Sequence, residues 1–184
     1  MECTPVAYGP GIVSLFTQSN LKESFMAYDV IQALPIGQTS TNAVFARSVG
    51  TLIVSNGVTY RLMVSDTAAI TLAANNFCKF KTDSAATYVV DAVTGAAAIR
   101  GTVAGIPQLP SGVTTWALST YAWVARAGRV TGTTAGAVAV GVGLATHSTA
   151  GAVDDTTVTY DTVIARAPTA IGSATTGVLD LDLE

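Results

Sequence analysis

Charge is scarce in this chain. Of its 184 residues only 11% are Asp, Glu, Lys or Arg, against roughly a quarter in an average soluble protein. The nine basic residues are three lysines and six arginines, spread along the sequence without a basic block. That excludes the electrostatic footprint that nucleic-acid binding needs. The net charge is −3 and the pI near 5.0. Long hydrophobic runs are missing too. No stretch approaches the ~18 apolar residues of a membrane helix, although 49% of the chain is hydrophobic. The longest candidate, Ala135–Ala145, holds three glycines and suits a buried strand. The N-terminus MECTPVAYGPG has no basic region leading into an apolar one, so no signal peptide is expected. The two cysteines, Cys3 and Cys78, match no metal spacing and are expected to be free thiols in a reducing cytosol.

Reaction chemistry is equally sparse. His147 is the only histidine. It lies in Thr146-His147-Ser148-Thr149, ahead of Asp154-Asp155, and a Ser148/His147/Asp triad can be drawn on paper. Adjacent side chains on one turn do not orient as nucleophile and base, and no G-x-S-x-G elbow occurs. Asp154-Asp155 and the series Asp180, Asp182, Glu184 lack the spacing of a calcium loop. The alternating terminal acids read as a solvated strand face. Gly141-Val142-Gly143 has no third glycine or lysine where a phosphate loop requires it. No catalytic, cofactor-binding or metal-ligating residue is therefore expected, and no cofactor. A hydrolase reading would rest on His147 alone.

What is present is β patterning. Leu52 and Val54 alternate with Thr51, Ile53 and Ser55, then Asn56-Gly57, then Val58, Tyr60, Leu62 and Val64 on one face. Asn-Gly between alternating runs predicts a two-residue hairpin, because both turn residues need positive φ. Lys79-Phe80-Lys81 reads as a strand with two solvated lysines around one core Phe. Strands are also expected at Ala85–Val90, Ala97–Ala104, Thr115–Val124 and Val178–Leu183, and a proline-fixed loop at Ile106–Gly112. Trp116, Tyr121 and Trp123 lie on a strongly apolar segment without basic partners and are expected in the core. From Tyr121 to Asp155 the chain reads as an aromatic strand, a Gly turn and a small-residue strand pair. In it TAGAV recurs at Thr134–Val138 and Thr149–Val153, as a hairpin would explain. Short strands with frequent turns predict an all-β domain, a small antiparallel β-barrel or sandwich over residues 41–184. Residues 1–40 are punctuated by Pro5, Gly9-Pro10-Gly11 and Pro35 and read as an N-terminal arm or extension. Within it the stretch after Asn20 fits a capped helix or, through Ser24–Leu34, a strand.

Four segments then follow in a distinctive order: Ile99–Ala104, Ile106–Gly112 (IPQLPSG), Tyr121–Val130 (YAWVARAGRV) and Ala135–Asp155. That order resembles the small capsid cement or decoration proteins of tailed bacteriophages. A short strand at Val163–Ala167 or Ala170–Ala174 and the apolar-acidic strand Val178–Leu183 would complete it. This chain carries Ala122 where that pattern has Gly, and Val113–Thr120 looks inserted. The resemblance implies a structural virion protein made in the host cytoplasm. It would bind the outer face of a phage head, with the major capsid protein as partner and a homotrimer as the assembly. Neither nucleic acid nor membrane is an expected partner. Two readings compete: another virion part, such as a minor tail or head-fibre protein, and a carbohydrate-binding β module with exposed aromatics.

Overall fold

The computed structural model describes residues 34–65, 70–72, 75–81, 88–93, 100–149, 151–155, 163–173 and 175–183. Leu34–Glu184 forms one compact unit. The arm assigned to residues 1–40 lies outside the described residues up to Ala33. Its last seven residues belong to the β unit: Thr39–Ser40 pairs into the sheet, and the carbonyl of Leu34 accepts from Trp123 Nε1 at 2.7 Å.

Strands dominate the fold, as expected. In chain order they are β1 (Thr39–Ser40), β2 (Leu52–Ser55), β3 (Val58–Ser65), β4 (Ile70–Thr71), β5 (Cys78–Phe80), β6 (Val89–Ala92), β7 (Val103–Pro107), β8 (Thr115–Trp116), β9 (Tyr121–Thr133), β10 (Gly143–Thr146), β11 (Val153–Asp154), β12 (Ala165–Arg166) and β13 (Thr176–Asp182). A 3₁₀ helix at Ala43–Ser48 breaks the β pattern expected from Thr41 onward. Asn42 caps it, its side chain accepting from the amide of Val44.

Five strands close into a ring, β3–β9–β7–β5–β6 and back to β3. The small barrel is therefore present. It is not wholly antiparallel, because β3 and β6 run parallel at Val64↔Val89 and Ser65↔Val90. The hairpin at Asn56-Gly57 forms as predicted, with φ of 51° and 75°.

The ring is filled by its own small side chains. Met63, Cys78, Val90, Ala104, Ala122 and Val124 meet inside, with Leu72, Leu109 and Trp116 packed on them. That filling leaves the barrel a packed core, the usual state of so narrow a closed sheet. Trp116 and Trp123 are fully buried, as their apolar setting predicted, whereas Tyr121 is only half-buried. Burial pushes the Cys78 thiol well above its ordinary pKa, and its Sγ donates to the Gly105 carbonyl at 3.3 Å. The thiolate is the reacting form. In a Cys3→Ser background, Cys78 should therefore resist an aromatic disulfide reagent in native buffer and react stoichiometrically in denaturant. Complete native labelling within minutes would contradict this packing.

Two bulges let so few strands close. Between β3 and β9 the register passes from Thr59↔Ala127 to Tyr60↔Ala125, leaving Arg126 extra. Between β5 and β7 it passes from Cys78↔Gly105 to Lys79↔Val103, leaving Ala104 extra. A bulge bends its strand and frees backbone groups from the ladder. The two defects satisfy each other: Arg126 Nη1 donates to the Ala104 carbonyl at 2.9 Å, and Nη2 donates to the Leu183 carbonyl. Its guanidinium also lies over the Phe80 ring, 5.4 Å from the centroid, which places Phe80 against the core as the Lys-Phe-Lys pattern implied.

Strand β9 is the spine of the fold. Its first half belongs to the barrel, and Ala127–Thr133 continues out to pair with β13 over seven residues. Beyond lie β12, β10 and β11. The chain leaves β9 through a bend at Ala135-Gly136 and turns again at Val140-Gly141. Gly128 sits inside the strand at φ +97°, where a Cβ would press on the Gly57 carbonyl and Val58 Cα. In β13 and just after it the leucines at 179, 181 and 183 are buried, while Asp180 and Asp182 face outward, as alternation predicted. Asp180 pairs with Arg129 on β9, Nε to Oδ1 at 2.8 Å. The bond to Arg129 holds the Asp180 carboxyl below its usual range.

Other strand expectations shift as well: Arg100–Thr102 of the strand expected over Ala97–Ala104 is a 3₁₀ turn. The buried strand foreseen over Ala135–Ala145 shortens to Gly143–Thr146, with a turn at Val140-Gly141 and Val140 exposed. The two TAGAV copies do not form one hairpin. They meet only at a parallel bridge, Thr134↔Val153. The strand Thr115–Val124 divides into β8 and β9 at Leu118-Ser119, where Ser119 has φ 51°.

Candidate functional site

The hairpin joining β10 to β11 gathers the polar groups that a sequence search singles out. β10 and β11 pair at Ala145↔Asp154 and Thr146↔Val153, which brings His147 back over Asp154. The ring uses one nitrogen locally: the Thr149 amide donates to Nδ1 at 3.0 Å, and Thr149 Oγ1 lies 3.1 Å from it. The other, Nε2, faces Asp154 Oδ2 at 3.9 Å. Asp154 Oδ1 accepts from the Asp155 amide at 2.7 Å. Partial desolvation first, then the hydrogen bond and charge of Asp154, holds the Asp155 carboxyl above its usual range.

This geometry organises a turn. The two ring nitrogens are directed at Thr149 and Asp154 rather than at the exposed Ser148. Among the described residues no group of three or more His, Cys, Asp or Glu side chains could hold a metal ion. None of the helices among them is long and apolar enough to cross a membrane.

A different region stands out on physical grounds. The segment Leu34–Gly50 is a strap over the outer face of the barrel. Leu34 receives the indole N–H of Trp123, the Phe45 ring lies 6.0 Å from that of Tyr121, and the Gly50 amide donates to the Leu62 carbonyl at 2.8 Å. Trp123 itself is fully buried, and the strap leads straight into β2. The same stretch is conspicuously apolar outward: Ile36, Val44, Leu52 and Val54 are exposed, Val54 by 74%. Four of the seven large hydrophobic side chains exposed among the described residues thus fall within nineteen consecutive positions. Leu52 and Val54 share the sheet face of Arg61 and Thr59, opposite the Leu62–Trp123 face that the strap crosses, so apolar side chains are exposed on both faces of this edge, as at a sheet edge that meets a partner.

The strap escaped sequence reasoning because its exposed residues are of the types that normally build cores. Periodicity identified the two faces of β2 but not which faces solvent. The signal available was the lack of any charge from Val49 to Tyr60.

No protein-family model and no curated protein sequence matches this chain.

Proposed function

We propose that this protein is a non-enzymatic structural subunit that attaches to the outer face of a tailed-phage head and reinforces its lattice. The observation that carries the reading is the set of exposed apolar side chains on the strap and edge, Ile36, Val44, Leu52 and Val54, with a single charge, Arg47, between them, on a barrel whose interior is filled. Such a surface suits many weak, dry contacts with neighbouring subunits. Presented across a lattice, such contacts add by avidity into firm attachment. The motif order at Ile99–Asp155 supports the phage assignment, and the homotrimer follows from that resemblance. The buried Trp116 and Trp123 disfavour a carbohydrate module, which needs exposed aromatic platforms. A minor tail or head-fibre protein would share the composition and differ in copy number.

Attachment should resist salt. At 1 M the Debye length shrinks to about 3 Å, so an interface of exposed ion pairs loosens. Contacts built from Val44, Leu52 and Val54 would hold, and would tighten in excluded salts such as sulfate. The test is to purify particles, wash them in 1 M NaCl and quantify the chain per particle. Retention at hundreds of copies is the expected result. Release by salt would remove the apolar-interface argument, and a handful of copies would favour the tail or fibre reading. Light scattering of recombinant protein tests the trimer separately.

A further inference from the structure

Strand β2 is the end of the large sheet. Its pairing with β3 around a two-residue turn makes Ser55↔Val58 and Ile53↔Tyr60 the hydrogen-bonded pairs. The Leu62 amide donating to the Thr51 carbonyl continues the same alternation. The amides and carbonyls of Leu52 and Val54 consequently point away from the sheet. Edge strands are normally blunted by lysine, proline or a covering element. Here the edge reads Thr-Leu-Ile-Val-Ser, uncharged, and its two outward residues are also exposed by side chain.

We propose that β2 is a self-pairing edge, joining two copies of this chain antiparallel about a two-fold axis at Ile53. In that register Leu52 opposes Val54 of the second copy, and Val54 opposes its Leu52. Each pair exchanges both N–H···O=C bonds, so four bonds form, and the exposed side chains cover one another across the seam. A second copy is the favoured occupant because the edge is its own complement in polarity and has no like charges to repel. The opposite end of the sheet, β11, carries Asp154 with Asp155 beside it. Those carboxylates would meet an edge with no cation, so a head-to-tail contact is disfavoured. An isologous contact is two-fold. It therefore links copies belonging to different trimers rather than the three within one, and would stitch neighbouring trimers together on a shell. Two four-residue strands cover less than the roughly 1,000 Å² of a stable interface. The free pairing is weak and gains strength from the concentration that a lattice imposes.

The test is cross-linking. Across the two-fold, position 53 faces itself as a non-hydrogen-bonded pair with Cα atoms about 4.5 Å apart, within disulfide range. In a Cys3→Ser background, Ile53→Cys is oxidised in concentrated free protein and compared with Ser111→Cys on an exposed turn. We expect at least about tenfold more disulfide-linked dimer from position 53, and loss of that excess when Val54→Lys sets like charges across the seam. Melting curves confirm that each variant is folded. Equal yields at 53 and 111, or no response to Val54→Lys, overturns the proposal. Loss of Val54→Lys from particles without any cross-link at 53 also overturns it, and assigns the edge to a shell segment. Because the free protein is the sample, cross-linking of a chain never found on particles leaves self-pairing standing and removes the decoration reading.

Discussion

Gly105→Ala should leave the barrel unfolded at temperatures where the parent is stable. Gly105 sits beside the β7 bulge with φ +132°, a conformation costly for any L side chain. Space is the second objection. A Cβ there would overlap the Ala125 carbonyl oxygen and come within 2.9 Å of Val124 Cγ1, and that carbonyl belongs to the spine strand. Neither β7 nor β9 can retreat, because each is held on both sides within a closed ring. Strain and overlap together should cost more than about 4 kcal/mol, in the tail of single-substitution effects. Gly57→Ala separates the two causes. Its φ is +75°, but nothing lies within 4 Å of the added methyl. Only strain remains, about 1–2 kcal/mol. Thermal melts of both variants check the argument. A Gly105→Ala protein melting as high as Gly57→Ala would show that β7 and β9 are not so closely apposed.

That glycine also shows where sequence reading stops. The hairpin at Asn56-Gly57, the leucine-in, acid-out strand at the C-terminus and the buried tryptophans were all legible, because each depends on neighbours within a few positions. Ring closure depends on two bulges, at Ala104 and Arg126, which pair residues far apart in the chain. Nothing local distinguishes Gly105 or Gly128 from a turn glycine, although both lie within strands. Ala135–Ala145 failed for a related reason. Its small residues fit a buried strand, yet only Gly143–Thr146 pairs as one, while Val138 makes a single bridge to Ile171. At the candidate surface, alternation separated Leu52 and Val54 from Ile53 but could not say which set faced solvent.

The strap yields the second large effect, through Trp123. Trp123→Ala should destabilise the protein by about 3–5 kcal/mol, the usual cost of truncating a fully buried aromatic. At roughly 2–4 °C per kcal/mol for a chain of this size, the melting temperature should fall by about 6–20 °C. The hydrogen bond is separable from the area. Trp123→Phe keeps most of the apolar contact but leaves the Leu34 carbonyl without its donor, which should cost about 1–2 kcal/mol. Trp116→Phe is the matched control. Its indole is equally buried, yet Nε1 has no acceptor, so removing that N–H should cost less than at 123 and offset part of the lost contact. The functional consequence follows from connectivity. Trp123 anchors the strap that carries Ile36 and Val44 and delivers the chain into β2. Limited proteolysis should therefore cut Trp123→Phe first between Leu34 and Gly50 while Trp116→Phe stays resistant there. Equal melting of the two phenylalanine variants, with the strap equally protected in both, would show that the Trp123–Leu34 bond does not hold the exposed apolar surface in place.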